Sequence, residues 1–156
     1  MKFFITLLVF ISMTSLSLAS DDRAVAEETN FQKLAEQMKS NKMGLVMMLH
    51  AEDCPFCKLM DERILSPMIR SGEYKNKVFI RKLQIDKPEY ITDFNGERVL
   101  APDLADEYDS QLTPTLVFLD QSGDEKALNI IGINSLDYFG AAVDEQIDEL
   151  LAVIRK

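Results

Sequence analysis

The sequence predicts an α/β domain in which a central mixed β-sheet is flanked by helices. Three observations carry that expectation. Segments with helical apolar spacing alternate with short apolar runs, the pattern of strands joined by crossover helices. The run at 44–49 (GLVMML) is apolar throughout, as in a strand buried on both faces. Two later apolar runs flank Gln121-Ser122-Gly123-Asp124, a hairpin turn.

The elements follow in order. Phe31, Leu34, Ala35 and Met38 have helical spacing, which predicts a helix over 28–41 with Thr29 or Asn30 as its cap. Residues 44–49 form the first strand. A helix starts directly afterwards at Pro55, because proline suits the first helical position, where an N–H would have no helical partner. Leu59, Met60, Ile64 and Leu65 give that helix an apolar side. Pro67 then breaks or kinks it, with a second piece over 68–73. Residues 78–85 (VFIRKLQI) read as a strand, and 86–99 as a polar stretch around the turn dipeptide Asn95-Gly96. A short helix is expected over 101–108, a strand over 115–120, and its antiparallel partner over 127–133. Ser135 opens a last helix supported by Phe139, Val143, Ile147, Leu150, Leu151 and Ile154. Helical crossovers imply parallel pairing, and the late hairpin adds an antiparallel edge.

With 156 residues the chain makes one domain, and 47% hydrophobic residues suffice for a packed core. A net charge of -9 argues against nucleic acid as a partner, because phosphate binding needs clustered Lys and Arg. Two cysteines exclude a disulfide scaffold and a four-thiolate zinc site. Six glycines form no Gly-rich phosphate loop.

Residues 1–19 read as a secretory signal peptide. Lys2 is the basic start, an apolar run follows from Phe3, and Ser17-Leu18-Ala19 is the cleavage site. An uncleaved anchor is the alternative, but the run is short for a span of about 20 residues. No later segment is apolar enough to enter a membrane. Residues 20–29 read as a flexible lead-in and 30–156 as the folded domain. An exported chain meets an oxidising compartment, which gives its two cysteines added interest.

Cys54-Pro55-Phe56-Cys57 falls between a predicted strand and a predicted helix. Cys54 would lie at the helix N-terminus, where free N–H groups and the dipole stabilise a thiolate. Cys57 follows one turn on, within reach of a disulfide. One cysteine can attack a substrate disulfide and the other can resolve the mixed disulfide. Glu52 and Asp53 oppose further negative charge at Cys54, whereas Lys58 favours it. His50, the single histidine, would give a metal site only three ligands with the two thiolates, so no metal is expected. The methionines fall at core positions and read as packing.

The strand, the CxxC and a later Thr113-Pro114-Thr115 opening another strand together resemble the thioredoxin superfamily. The stretch from Ile91-Thr92-Asp93-Phe94-Asn95-Gly96 through residues 113–120 to Gly132 is similar to periplasmic thioredoxin-like proteins of the SoxW type. The resemblance spans about residues 30–155 and implies a thioredoxin-like fold. It also implies a cis peptide before Pro114, with Thr113 presenting backbone groups to a bound substrate chain. Phe56 and the apolar surroundings of Pro114 would form a docking patch.

Departures from the family pattern are informative. Thioredoxin has Trp-Cys-Gly-Pro-Cys, but Asp53 occupies the Trp position and Pro55-Phe56 separates the cysteines. Met48 stands where thioredoxin carries a buried Asp that assists proton transfer. Phe56 has no donor for the Cys54 sulfur, unlike the His between the cysteines of the oxidant DsbA. The expected activity is periplasmic reduction of protein disulfides, with Cys54 attacking and Cys57 resolving. A membrane protein of the DsbD type would supply electrons, and no nucleotide, flavin or metal cofactor is needed. The alternatives are an oxidase or isomerase, or a metal-binding chaperone.

Overall fold

The computed structural model describes residues 24–156, so the expected signal peptide at 1–19 lies outside the described residues. The elements run β1 (Ala26–Glu27), α1 (Phe31–Asn41), β2 (Gly44–His50), α2 (Pro55–Met60), a π turn (Asp61–Leu65), α3 (Ser66–Ser71), β3 (Val78–Gln84), β4 (Tyr90–Thr92), β5 (Arg98–Leu100), α4 (Ala101–Asp106), β6 (Thr115–Leu119), β7 (Ile130–Ile131) and α5 (Leu136–Ile154). Five strands form one sheet in the order β1-β3-β2-β6-β7, and β4 pairs with β5 separately. This is the thioredoxin-like arrangement, a central mixed sheet between helices.

The apolar run at 44–49 explains β2's central position. Residues 45–49 are fully buried, and period-2 alternation sends them to opposite faces. Val46 and Met48 join Leu116 and Phe118 in one cluster, covered by α2, α3 and α5. Leu45, Met47 and Leu49 join Val117 and Leu119 in the other, covered by α1 and α4. Gly44 opens β2 where α5 comes close: a Cβ there would run into the Leu150 side chain.

Four sequence expectations need correcting. Residues 24–29, expected as a loose lead-in, belong to the fold. Val25 is buried, and β1 pairs in parallel with β3. The stretch 86–99 contains a hairpin, in which β4 and β5 pair antiparallel around Asn95-Gly96. The third correction concerns strand direction. β3 lies parallel to β2, but β6 runs antiparallel to it, with Leu49 opposite Thr115. Six residues of α4 advance only about 9 Å, too little to carry the chain back along the sheet. β6 therefore starts at the end where β2 and β3 finish. β7 pairs with β6 as expected but extends over two residues only.

Fourth, Pro67 does not break its helix. Residues 55–71 continue as one helical run with a π turn in the middle. A proline lacks an N–H and its ring crowds the carbonyl four residues earlier. The wide turn relieves that conflict, and Ser66 N–H bonds to the Asp61 carbonyl, five residues back.

Candidate active site

The C-terminal end of β2 delivers the chain to the redox pair. Cys54 caps α2 in extended conformation, and Pro55 takes the first helical position. The two cysteines form a disulfide, with an S–S distance of 2.02 Å. Cys57 N–H donates to Cys54 Sγ at 3.1 Å, and Lys58 N–H donates to the Cys54 carbonyl at 3.1 Å. A sulfur so placed receives the unpaired donors of a helix start, an arrangement that stabilises negative charge when the bond is reduced. Burial separates the pair's roles: Cys54 is half-buried, whereas Cys57 is only 3% exposed. Cys54 is thus the accessible sulfur and Cys57 the internal one.

The reversed direction of β6 brings a second segment to this end of the sheet. Thr113 and Pro114 lead into Thr115, which lies opposite Leu49. The Thr113–Pro114 peptide is cis. Pro114 is buried, and its carbonyl accepts from Gly132 N–H at 2.8 Å. Gly132 has φ +69°, a conformation glycine adopts without steric cost. Thr113 lines a cavity of about 330 Å³ together with Ala51, Ile85 and Asp86. Phe56 is 61% exposed on the first turn of α2, and Leu112, which drew no attention in the sequence, is 64% exposed beside Thr113. Exposed apolar side chains thus occur on both segments that frame the cysteines.

The charges expected to tune Cys54 are largely engaged elsewhere. Glu52 pairs with Lys87 at 2.8 Å, and that contact holds the Lys87 ammonium above its ordinary pKa. Glu52 N–H donates to Asp86 Oδ2 at 3.1 Å. Gln84 donates to the other Asp86 oxygen at 2.9 Å and keeps that carboxyl below the usual carboxylate range. Lys58 points to Glu62 at 3.8 Å and is well exposed. Asp53 is exposed.

A charged network was not legible in the sequence. Behind the disulfide lies a cavity of about 500 Å³, lined by Cys54, Cys57, Met48, His50, Asp61 and Lys82 among others. Lys82 Nζ lies 3.1 Å from Asp61 Oδ2 and 3.9 Å from Glu27 Oε1. Ser66 Oγ donates to Asp61 Oδ1 at 2.7 Å. His50 Nε2 meets Glu27 Oε1 at 2.5 Å. Helical spacing from Cys57 is the one sequence signal that could have singled out Asp61. Among the described residues, no cluster of three or more His, Cys, Asp or Glu side chains could hold a metal ion.

The family model described as a thioredoxin-like domain matches residues 31–147. Solved structures agree on the fold. A chain from a structure of the thiol-resolving mechanism in yeast mitochondrial 1-Cys peroxiredoxin via glutathione/thioredoxin systems has TM-score 0.54 and 24% identity. The match covers 83% of this chain and 99% of that one. Oxidised mitochondrial thioredoxin 3 from Saccharomyces cerevisiae has TM-score 0.52 and 25% identity, over 83% and 99% of the two chains. Oxidised thioredoxin O2 from Arabidopsis thaliana has TM-score 0.50 and 17% identity, over 79% and 94%. No curated protein sequence matches this chain significantly.

Proposed function

The chain belongs to the thioredoxin-like domain family, and on that premise we propose that it reduces protein disulfides in the bacterial periplasm. The activity class, thiol–disulfide oxidoreductase, follows from the family and its CxxC disulfide. The observation that carries the proposed mechanism is the unequal burial of the pair. In the reducing direction, Cys54 thiolate attacks one sulfur of a substrate disulfide and expels the other as a thiol. Cys57 then attacks Cys54 Sγ, the mixed disulfide breaks, and the second substrate thiol leaves. The substrate gains two electrons, and the protein ends as the Cys54–Cys57 disulfide.

Thr113 and Pro114 would form the edge along which the substrate chain docks, with Phe56 and Leu112 as apolar contacts. Pro55, Glu52, Asp53 and Lys58 are proposed to tune Cys54. The lack of a polar donor on Phe56 and the exposed carboxylate of Asp53 limit thiolate stabilisation, which favours a low potential and the reducing direction. Export rests on the leader pattern at 1–19. A reductase in that compartment needs recharging, for which a membrane donor of the DsbD type is suited.

The test is the redox equilibrium of Cys54–Cys57 against glutathione, read by thiol alkylation and mass. A potential near that of thioredoxin, about −270 mV, is expected. A value near about −120 mV, as in DsbA, would overturn the reducing assignment and make the protein an oxidase.

A further inference from the structure

The resolving step needs a proton acceptor. Cys57 must lose its proton before attacking Cys54, yet it is almost wholly buried. A thiol in such surroundings yields its proton reluctantly. Met48, the β2 residue two before His50 in the cavity behind the disulfide, has no acidic or basic group.

We propose that Asp61 is the proton acceptor for Cys57, placed in the cavity one helical turn after it and held there by Lys82 and by Ser66, which the π turn brings up. This rests on the disulfide-exchange reading above and deepens it. Asp61 follows Cys57 by four residues, so both occupy one helix face, and Asp61 N–H bonds to the Cys57 carbonyl. Both residues line the same cavity. The wide turn brings Ser66, five residues on, to within 2.7 Å of one carboxylate oxygen. Lys82 holds the other at 3.1 Å. The side chain is 18% exposed, secluded but not sealed.

Other titratable groups around the cavity are less suited. Glu52 and Glu62 are exposed, and they pair with Lys87 and Lys58. His50 on β2 is engaged through Nε2 with Glu27 on β1, which also lies 3.9 Å from Lys82.

Electrostatics favours the Asp61 route. Before transfer the cluster holds a thiol, a carboxylate and an ammonium. Afterwards it holds a thiolate, a carboxylic acid and the same ammonium. Negative charge moves within the cavity, so none has to be created in a poorly solvated place. The Cys57 thiolate then attacks Cys54 Sγ, the Cys54–substrate bond breaks, and the departing thiolate takes its proton from solvent. Asp61 later returns its proton to solvent.

The test uses the reduced protein and the aromatic disulfide DTNB in stopped flow. Attack by Cys54 releases a first coloured thiolate, and resolution by Cys57 releases a second. Asp61→Asn should slow the second release at neutral pH by about a hundredfold, the lower end for a positioned proton acceptor. The first release should stay within about twofold, since Cys54 needs no such acceptor. The second release should recover toward wild type in alkaline buffer, where hydroxide takes the Cys57 proton, and Asp61→Glu should retain most of the rate. His50 and Glu27 are present in both proteins, so their effects cancel in the comparison. Equal slowing of both releases, an unchanged pH profile, or an unaffected second release would overturn the proposal. A faster second release would also sink it, because Asp61 would then act only as a repelling charge. A wild-type protein that releases neither thiolate would refute the exchange reading itself.

Discussion

Cys54 and Cys57 differ in one physical respect on which the proposed mechanism turns, which is access. Cys54 can meet a substrate at the helix start, while Cys57 is enclosed by the helix and β2. Replacing Cys57 with Ala should therefore leave the first attack intact and remove the escape from it. The expected outcome is a covalent adduct of substrate on Cys54, visible as an added mass that a reductant removes. Cys54→Ala should give no adduct. An adduct on the Cys54→Ala variant would reverse the assignment of attacking and resolving sulfurs.

At the scale of elements, β2 is the beam on which the site is built. It carries the redox loop at one end and packs under α5 at the other. Gly44 marks that second contact, where Leu150 leaves no room for a methyl group. Gly44→Ala should cost about 1–3 kcal/mol, the usual range for overpacking a tight core. Urea unfolding should show a lower midpoint with an unchanged slope. The DTNB reaction should persist at low temperature, because the substitution lies at the far end of β2 from Cys54. A neutral effect on the midpoint would mean that α5 shifts freely, contrary to the burial of Leu150.

Across the whole molecule, burial of tyrosines ties stability to alkaline pH. Tyr108 is 5% exposed in the α1–α4 cluster, and its hydroxyl donates to the Gly123 carbonyl at 3.2 Å. Burial, followed by the nearby carboxylates led by Glu107, pushes its pKa well above the ordinary value of 10. Tyr74 is raised in the same direction, by burial and by its hydrogen bond to Asp144. The unfolded chain ionises these phenols from about pH 10 while the folded chain keeps them neutral. Above that pH the unfolded state binds fewer protons, so stability falls as pH rises. Below it the contribution is constant. The slope should approach about 1.4 kcal/mol per pH unit for Tyr108, and less for the partly exposed Tyr74, whose shift solvent screens. Tyr108→Phe should flatten the alkaline slope measured by urea unfolding between pH 9.5 and 11, on the order of one proton's worth. An unchanged slope would mean that Tyr108 ionises in the folded protein.

The sequence by itself determined whatever depends on near neighbours. Residues 44–49 are apolar enough to specify a strand buried on both faces, and Pro55 suits the first position of the helix that follows. Cysteines three apart at such a start face the same turn, so the redox pair could be read directly. Thr113-Pro114-Thr115 was legible through its resemblance to a family motif. The two residues of β1 and the three-residue strands of the hairpin were not, because periodicity needs a longer run. Pro67 was misjudged for a related reason: whether a helix breaks or widens depends on what packs along it. The direction of β6 was decided by tertiary structure, through an α4 too short to carry the chain back along the sheet. So was the charged cavity. Asp61 and Lys82 lie 21 residues apart, and His50 and Glu27 lie 23 apart, and only the pairing of β1, β2 and β3 beneath the helix brings them together. Local chemistry is written in spacing, whereas the environment of a thiol is made by distant segments whose approach no local pattern encodes.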